Sequence, residues 1–313
     1  MRTGTLLFAM ILFGGACGDD DGDDDGLLPD AGEEVDASVD EEDAAAEGGP
    51  FDERPYQLLV PESYDEDTPA PLIVLLHGYT ATGAVQLAYF GLADVAEEQG
   101  ILVAYPDGTV DGGGSQFWNA TDACCNFSDS DVDDVAYLTA IMDDVAARYS
   151  VDPARVYMVG HSNGGFMSHR MACDRADRVA AIVSLAGATW ADPEQCQPSE
   201  PVAILQVHGN SDATILYGGG EITGNAYPAA ADTVATWGAL NGCTGELEAS
   251  KTRLDLDGSI ADDETRVDRT AGCPSASAEV ELWTIELGSH VPSLSLPTWP
   301  ETFVEFLLAH PKP

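Results

Sequence analysis

The feature that most constrains this chain is a short apolar segment that ends in a Gly-x-Ser-x-Gly motif. Residues 156–159 read Val-Tyr-Met-Val and favour a buried strand, and the motif follows at Gly160–Gly164. A helix-compatible segment, Phe166–Cys173, comes next. In this context the glycines permit a sharp strand-to-helix turn that exposes Ser162 at the N-terminus of the helix. Free N–H groups there favour developing negative charge, so Ser162 is a candidate nucleophile, with a plain glycine-rich loop as the alternative.

Strand-like and helix-like segments alternate from Arg54 onward, which predicts an α/β fold with a mainly parallel sheet and helices on both faces. Strands are predicted at residues 56–60, 72–76, 101–105, 156–159, 179–185, 202–207 and 280–287. Helices are predicted at residues 87–99, 135–149, 166–173, 229–240 and 302–309. The polar segment 244–278 is expected to be irregular. These elements predict one catalytic domain over residues 54–313.

The first 53 residues do not have the composition of a folded domain. Arg2, an apolar run at 5–13 and small residues before Cys17 predict a signal peptide over residues 1–17, with a lipobox-like end. We expect lipidation at Cys17, or cleavage nearby to give a freely secreted protein. Residues 18–53 are dominated by Asp and Glu and predict a disordered tether. The expected location is extracellular or at the cell surface, anchored by lipid to a bacterial outer membrane.

The charge of the chain limits the kinds of molecule that it can bind. A formal net charge of −43 repels phosphate backbones and anionic membranes, so we expect no nucleic-acid binding and membrane contact only through the lipid. We also expect a monomer.

An even number of cysteines beyond Cys17 predicts disulfides, and no Cys/His cluster has zinc spacing, so no metal is expected. The preferred pairs are Cys243–Cys273, in Gly-Cys turns around a polar insertion, then Cys173–Cys196, with Cys124 and Cys125 left to each other or to reshuffled pairs.

A serine nucleophile needs a base that takes its proton and an acid that supports the base. When the serine lies on a strand-to-helix turn of this kind, the acid and then the histidine follow it along the chain. Asp212 follows the strand predicted at 202–207, and His290 follows the strand at 280–287. Both therefore lie at the same sheet edge as Ser162. We predict that Ser162, Asp212 and His290 are nucleophile, acid and base.

Five other histidines compete with His290. His77 and His208 each precede a glycine where a strand ends, and we interpret them as packing or loop-ordering groups. His161 is beside the nucleophile and points the wrong way, His169 lies in the following helix, and His310 lies in the C-terminal tail. None of the five fits the role of base as well as His290.

Two backbone N–H donors are expected to stabilise an oxyanion. One belongs to Asn163, which follows the nucleophile, and the other to Tyr79, in the loop after the central strand. Trp118 and Trp190 are candidates for the wall of the substrate pocket, with burial in the core as the alternative.

Four motifs occur in order along the chain: Leu76–Tyr79, Tyr105–Gly108, Trp118–Ala120 with Cys124-Cys125, and Gly160–Gly165. Together they resemble the polyhydroxybutyrate depolymerase / feruloyl and acetyl xylan esterase group of α/β-hydrolases, over nearly all of residues 54–313. The resemblance implies the α/β-hydrolase fold and an exported serine esterase without a cofactor that acts through an acyl-enzyme. Its polymeric or oligomeric substrates are expected to be either polyhydroxyalkanoate-type esters or feruloyl or acetyl esters of polysaccharides. It assigns the same three catalytic residues. A non-catalytic surface-binding lipoprotein on this fold and a serine peptidase remain the alternative hypotheses.

Overall fold

The computed structural model describes residues 51–313 of the chain. The predicted signal peptide, the lipidation at Cys17 and all but the last three residues of the predicted tether lie outside the described residues. Within residues 51–313, no helix has both the length and the apolar character needed to cross a bilayer.

The described chain contains thirteen strands and six α-helices. The strands are β1 (Leu58–Leu59), β2 (Ala70–Leu76), β3 (Leu102–Ala104), β4 (Thr109–Val110), β5 (Gln116–Phe117), β6 (Val151–His161), β7 (Ala181–Leu185), β8 (Ala203–Gly209), β9 (Gly220–Ile222), β10 (Asn225–Tyr227), β11 (Leu247–Leu254), β12 (Thr265–Thr270) and β13 (Val280–Ile285). The helices are α1 (Gly83–Phe90), α2 (Leu92–Gln99), α3 (Asp134–Arg148), α4 (Asn163–Asp174), α5 (Ala230–Leu240) and α6 (Thr298–Ala309).

Nine of these strands form one sheet in the order β1-β3-β2-β6-β7-β8-β13-β12-β11. The six strands from β3 to β13 in this order are parallel to one another. At the two edges, β1 pairs antiparallel with β3, β12 pairs antiparallel with β13, and β11 pairs antiparallel with β12. Because the central strands are parallel, their C-terminal ends meet at one edge of the sheet. The predicted α/β fold with a mainly parallel sheet is confirmed.

The central strand β2 shows why the sheet needs a helical layer on each face. Its side chains alternate between faces, so Leu72, Val74 and Leu76 enter one hydrophobic cluster, and Ile73 and Leu75 enter the other. All five side chains are fully buried. The continuous apolar run in the sequence is therefore the signature of a strand covered on both sides.

Two predictions about local structure are wrong. The polar segment 244–278 contains β11 and β12, which extend the sheet in antiparallel fashion. Most side chains of the edge strand β11 are exposed or partly exposed, so this strand lacks an apolar pattern. The helix predicted at 87–99 is two helices, because Gly91 takes φ 60° and ends α1 at Phe90.

The six described cysteines form three disulfides: Cys124–Cys125, Cys173–Cys196 and Cys243–Cys273. The second and third are the pairs that the sequence favoured, and Cys124 and Cys125, whose pairing the sequence left open, bond to each other. The second disulfide ties the C-terminal part of α4 to the segment before β8, and the third ties the turn after α5 to the turn after β12.

Candidate active site

Ser162 lies at the turn between β6 and α4, in a backbone conformation that few non-glycine residues adopt. Its φ is 54° and its ψ is −119°. The Ser162 N–H donates to the Leu185 carbonyl at 2.8 Å, and its own carbonyl accepts from Phe166 N at 3.0 Å. Strand β7 and helix α4 thus fix the turn from both sides. Such strained positions persist only where the surrounding structure holds them, and they concentrate at functional sites.

The two glycines of the motif allow the backbones around Ser162 to approach closely. A Cβ atom on Gly160 would overlap the Gly164 carbonyl, and one on Gly164 would overlap the Leu76 carbonyl. Helix α4 can therefore pack directly against the ends of β6 and β2 only if both positions lack a side chain.

Replacing Gly160 by alanine should lower the free energy of unfolding by at least about 2 kcal/mol, because the added methyl meets backbone that cannot move aside. Gly112→Ala is the matched control, since a Cβ there has no atom within 4 Å. It should change stability by no more than about 0.5 kcal/mol. Urea unfolding of both variants checks the contrast, and equal losses would contradict the packing argument.

The structure brings Ser162, His290 and Asp212 into one hydrogen-bonded line. His290 Nε2 lies 2.9 Å from Ser162 Oγ, and His290 Nδ1 lies 2.7 Å from Asp212 Oδ2. The other carboxylate oxygen of Asp212 accepts N–H bonds from Thr214 at 2.8 Å and Ile215 at 2.9 Å. In this arrangement His290 can take a proton from Ser162 while Asp212 stabilises the imidazolium that forms.

Asp212 is a buried carboxylate that stays ionised. Burial alone would raise its pKa, but hydrogen bonds from His208 and His290 outweigh that effect and hold the pKa of Asp212 far below its usual range. The Asp212 side chain has no exposed surface. Asp212 therefore places a negative charge behind His290 at neutral pH.

The loop that carries His290 is held by two further side chains. His161 Nε2 donates to the backbone carbonyl of His290 at 2.8 Å, and the hydroxyl of Tyr89 donates to the Pro292 carbonyl at 2.9 Å. Burial, reinforced by the nearby His290, lowers the pKa of His161 to about 4. His161 is thus a neutral hydrogen-bond donor that supports the position of His290.

The loop after β2 lies against the nucleophile. A Cβ on Gly78 would lie 3.4 Å from Ser162 Cβ, which places the neighbouring Tyr79 beside the site. Asn163 opens α4, so its backbone N–H has no acceptor within the helix. Its side chain is used elsewhere: Oδ1 accepts from Trp118 N at 2.7 Å, and Nδ2 donates to Trp118 O at 3.0 Å.

The two tryptophans that the sequence proposed for the pocket have different positions. Trp118 is fully buried and its Nε1 donates to the His77 carbonyl at 3.0 Å, so the prediction that it forms a pocket wall is wrong. Trp190 lines a cavity of about 770 Å³. Phe127 lines the same cavity and stands edge-on to Tyr79, with ring centroids 5.2 Å apart. Phe127 thus connects the cavity to the loop after β2, but Tyr79, Ser162 and His290 do not line the cavity.

The rest of this cavity is mainly polar. Its lining includes Asn119, Thr121, Asp122, Arg170 and Asn225. Among residues 51–313, no group of three or more His, Cys, Asp or Glu side chains is arranged to hold a metal ion.

Two buried histidines should make stability depend on pH. Burial lowers the pKa of both His161 and His169 to about 4. Between about pH 6.5 and pH 4 these two histidines are protonated in the unfolded chain but not in the folded one. Their contribution to the free energy of unfolding is therefore complete above about pH 6.5 and decreases as the pH falls towards 4. Each histidine should add about 1.4 kcal/mol per pH unit to the slope in this window. Replacing His169 by glutamine should remove one such contribution, and urea unfolding at several pH values would show an unchanged slope if this is incorrect.

The sheet order, the strand-to-helix turn at Ser162 and the positions of Asp212 and His290 define an α/β-hydrolase fold. Solved structures agree: the acetyl xylan esterase from Aspergillus awamori superposes over 81% of this chain and 93% of its own, with a TM-score of 0.55 and 16% identity. A thermostable esterase superposes over 82% of this chain and 59% of its own, with a TM-score of 0.53 and 15% identity. At these identities the likeness establishes the fold alone.

Residues 51–235 match the esterase family described as "Putative esterase", and the chain belongs to that family. Feruloyl esterase B from Piromyces equi is 30% identical over 194 residues, which are 59% of this chain and 35% of that protein. Feruloyl esterase C from Emericella nidulans is 31% identical over 180 residues, 56% of this chain and 60% of that protein. The chain thus matches less than two thirds of the length of either relative.

Proposed function

We propose that this protein hydrolyses carboxylic esters through an acyl-enzyme formed on Ser162. The observation that carries the proposal is the line of hydrogen bonds from Ser162 Oγ through His290 to Asp212. His290 Nε2 takes the hydroxyl proton as Oγ attacks the ester carbonyl, and then passes that proton to the leaving alkoxide. Water enters next, His290 removes a proton from it, and the acid product leaves as Ser162 regains its hydrogen. Membership of the esterase family supports the same chemistry.

The tetrahedral intermediate would be stabilised by the backbone N–H groups of Asn163 and Tyr79. Support comes from the position of Asn163 at the N-terminus of α4 and from the contact between Gly78 and Ser162. Such donors act in a site where water is excluded, and the loss of one costs about 10²–10³-fold in kcat.

The proposed substrates are feruloyl or acetyl esters of polysaccharides. Two observations support them. The relatives include feruloyl esterases, and the cavity beside Tyr79 combines the rings of Trp190 and Phe127 with polar side chains such as Asn119 and Arg170. Aromatic rings provide apolar surface for an acyl group or a sugar ring, and polar side chains supply hydrogen bonds to sugar hydroxyls.

We also propose that the protein works outside the cytoplasm. The three disulfides support this location, because structural disulfides persist in oxidising compartments. The lipid anchor at Cys17 stays a prediction. Metabolic labelling with a fatty acid, with Cys17→Ala as the control, tests the anchor.

The activity is tested by rapid mixing with p-nitrophenyl acetate. We expect a burst of about one p-nitrophenolate per chain before steady turnover, since acylation precedes a separate hydrolysis step. Methyl ferulate, acetylated xylan, a polyhydroxybutyrate film and a peptide anilide then compare substrate classes. Release of ferulate or acetate supports the proposed substrates. Clearing of the film alone would replace them with polyesters, cleavage of the anilide alone would indicate a peptidase, and no turnover would reject the function.

A further inference from the structure

Asp212 receives a second imidazole besides that of His290. His208, on the strand β8 that leads to Asp212, places its Nε2 3.3 Å from Asp212 Oδ2, the oxygen that His290 Nδ1 approaches at 2.7 Å. The His208 side chain is 2% exposed. Two imidazoles thus share one buried carboxylate oxygen.

The tautomer of His208 follows from groups whose polarity is fixed. The Ile215 carbonyl can only accept, and it lies 2.8 Å from His208 Nε2, so Nε2 carries a proton. This one N–H is shared between the Ile215 carbonyl and, at the longer distance of 3.3 Å, Asp212 Oδ2. The Gly187 carbonyl lies 2.9 Å from Gln206 Nε2, which fixes that atom as the amide NH₂. The same NH₂ faces His208 Nδ1 at 3.4 Å. Nδ1 is therefore the unprotonated nitrogen, and a proton there would set two donors face to face.

The line of hydrogen bonds continues behind Gln206. The indole N–H of Trp237 can only donate, and it donates to His169 Nδ1 at 2.9 Å. His169 Nε2 then donates to Gln206 Oε1 at 2.9 Å. Burial lowers the pKa of His169 to about 4, so its ring is neutral. Each hydrogen bond from Trp237 to His208 thus has one possible direction: Trp237 donates to His169, His169 donates to Gln206, and Gln206 donates to His208 Nδ1.

We propose that His208 is a positioning residue for the reaction at Ser162, because it holds the Asp212 carboxylate in place and disperses its charge. Three residues, Gln206, His169 and Trp237, fix His208 in the tautomer that carries its proton on Nε2. This inference rests on the proposed function, since it assigns a role beside the Ser162–His290–Asp212 line. In this proposal His208 acts on the reaction through its contact with Asp212.

The charge-dispersing role predicts the direction of a pH shift. The titratable groups around Asp212 are His208 on β8, His290 in the loop after β13 and His161 on β6. When the His208 donor is lost, the full charge of Asp212 acts on His290 and favours its protonated form. Because His290 must be unprotonated to accept the Ser162 proton, the acid limb of kcat/KM should move to higher pH.

The test compares two variants at His208 with a control at a distant buried histidine. His208→Phe removes both ring nitrogens, whereas His208→Gln retains a donor near the position of Nε2. His310→Phe is the control, because His310 is also buried and bonded to a carboxylate, that of Glu279 at 2.9 Å, where β13 begins rather than ends.

With p-nitrophenyl acetate, His208→Phe should lower kcat/KM by about three- to tenfold, as expected when the longer branch of a shared hydrogen bond to a charged group is lost. Its acid limb should rise by about half a pH unit or more. His208→Gln should recover most of both losses, and His310→Phe should lower the melting temperature without moving the acid limb. If folded His208→Phe matches His310→Phe in kcat/KM and acid limb, the proposal is overturned.

A measurement on the unsubstituted protein covers the case in which His208→Phe does not fold. Nitrogen-15 NMR of histidine side chains should show a proton on Nε2 of His208 and none on Nδ1. A proton on Nδ1 of His208 would overturn the proposal. This result is independent of turnover, so it separates a failure of the positioning role from a failure of the esterase function.

Discussion

Ser162→Ala should lower kcat for p-nitrophenyl acetate by about 10⁵–10⁶-fold, the loss expected when a serine nucleophile is removed from an intact hydrogen-bonded site. The protein should remain folded, because the main-chain bonds from Ser162 to Leu185 and Phe166 do not need the hydroxyl. Ser168→Ala is the matched control: Ser168 is a buried serine of α4 whose hydroxyl donates to the Gly164 carbonyl at 2.8 Å. Initial-rate assays on both variants give the comparison.

The control variant should keep kcat within about threefold of the unsubstituted protein, since its hydroxyl makes one structural hydrogen bond worth about 1 kcal/mol. A Ser162→Ala protein that retained more than a few per cent of the activity would mean that another group attacks the ester. In that case the hydrogen-bond line at Ser162 would have a structural role only.

Asp212→Asn should lower kcat by about 10⁴-fold through a reversed histidine tautomer. The N–H groups of Thr214 and Ile215 require an acceptor at Oδ1, so the new amide nitrogen must occupy the Oδ2 position. There it would face His290 Nδ1 as a donor, which forces the ring proton onto Nε2. His290 could then no longer accept the proton of Ser162.

Asp257→Asn is the control for removing a buried carboxylate charge. Asp257 is 2% exposed and its Oδ1 accepts from the backbone N–H and hydroxyl of Ser259, without a contact to His290. Its loss should reduce stability and leave kcat nearly unchanged. Equal falls in kcat for Asp212→Asn and Asp257→Asn would mean that general destabilisation, and not the tautomer, explains the effect.

The sequence predicted the parts of the fold that are governed by local pattern and burial. Strand β2 is apolar throughout because both of its faces are covered, and the Gly-x-Ser-x-Gly motif is explained by overlaps that only glycine avoids at Gly160 and Gly164. The edge strand β11 was missed, because it pairs through backbone groups and leaves most of its side chains at least partly exposed. Backbone pairing of this kind leaves little trace in the amino-acid pattern.

The three residues of the candidate site could be predicted from their order along the chain and from their positions just after strands. Asp212 and His290 each follow a strand at the same sheet edge as Ser162, and the structure brings all three together. The contact between His208 and Asp212 was missed, because a histidine before a glycine at a strand end also suits a packing role. Trp118 takes the core position that the sequence left open as the alternative, since a tryptophan in a glycine-rich loop fits either a pocket or a core.

The central claim is that Ser162 is the nucleophile, and covalent labelling with a fluorophosphonate tests it most directly. The probe is added to the unsubstituted protein, to Ser162→Ala and to Ser168→Ala, followed by intact-mass measurement and peptide mapping. The account predicts one adduct on Ser162 in the unsubstituted and Ser168→Ala proteins, and none in Ser162→Ala. An unlabelled protein, or an adduct that persists in Ser162→Ala, would contradict it.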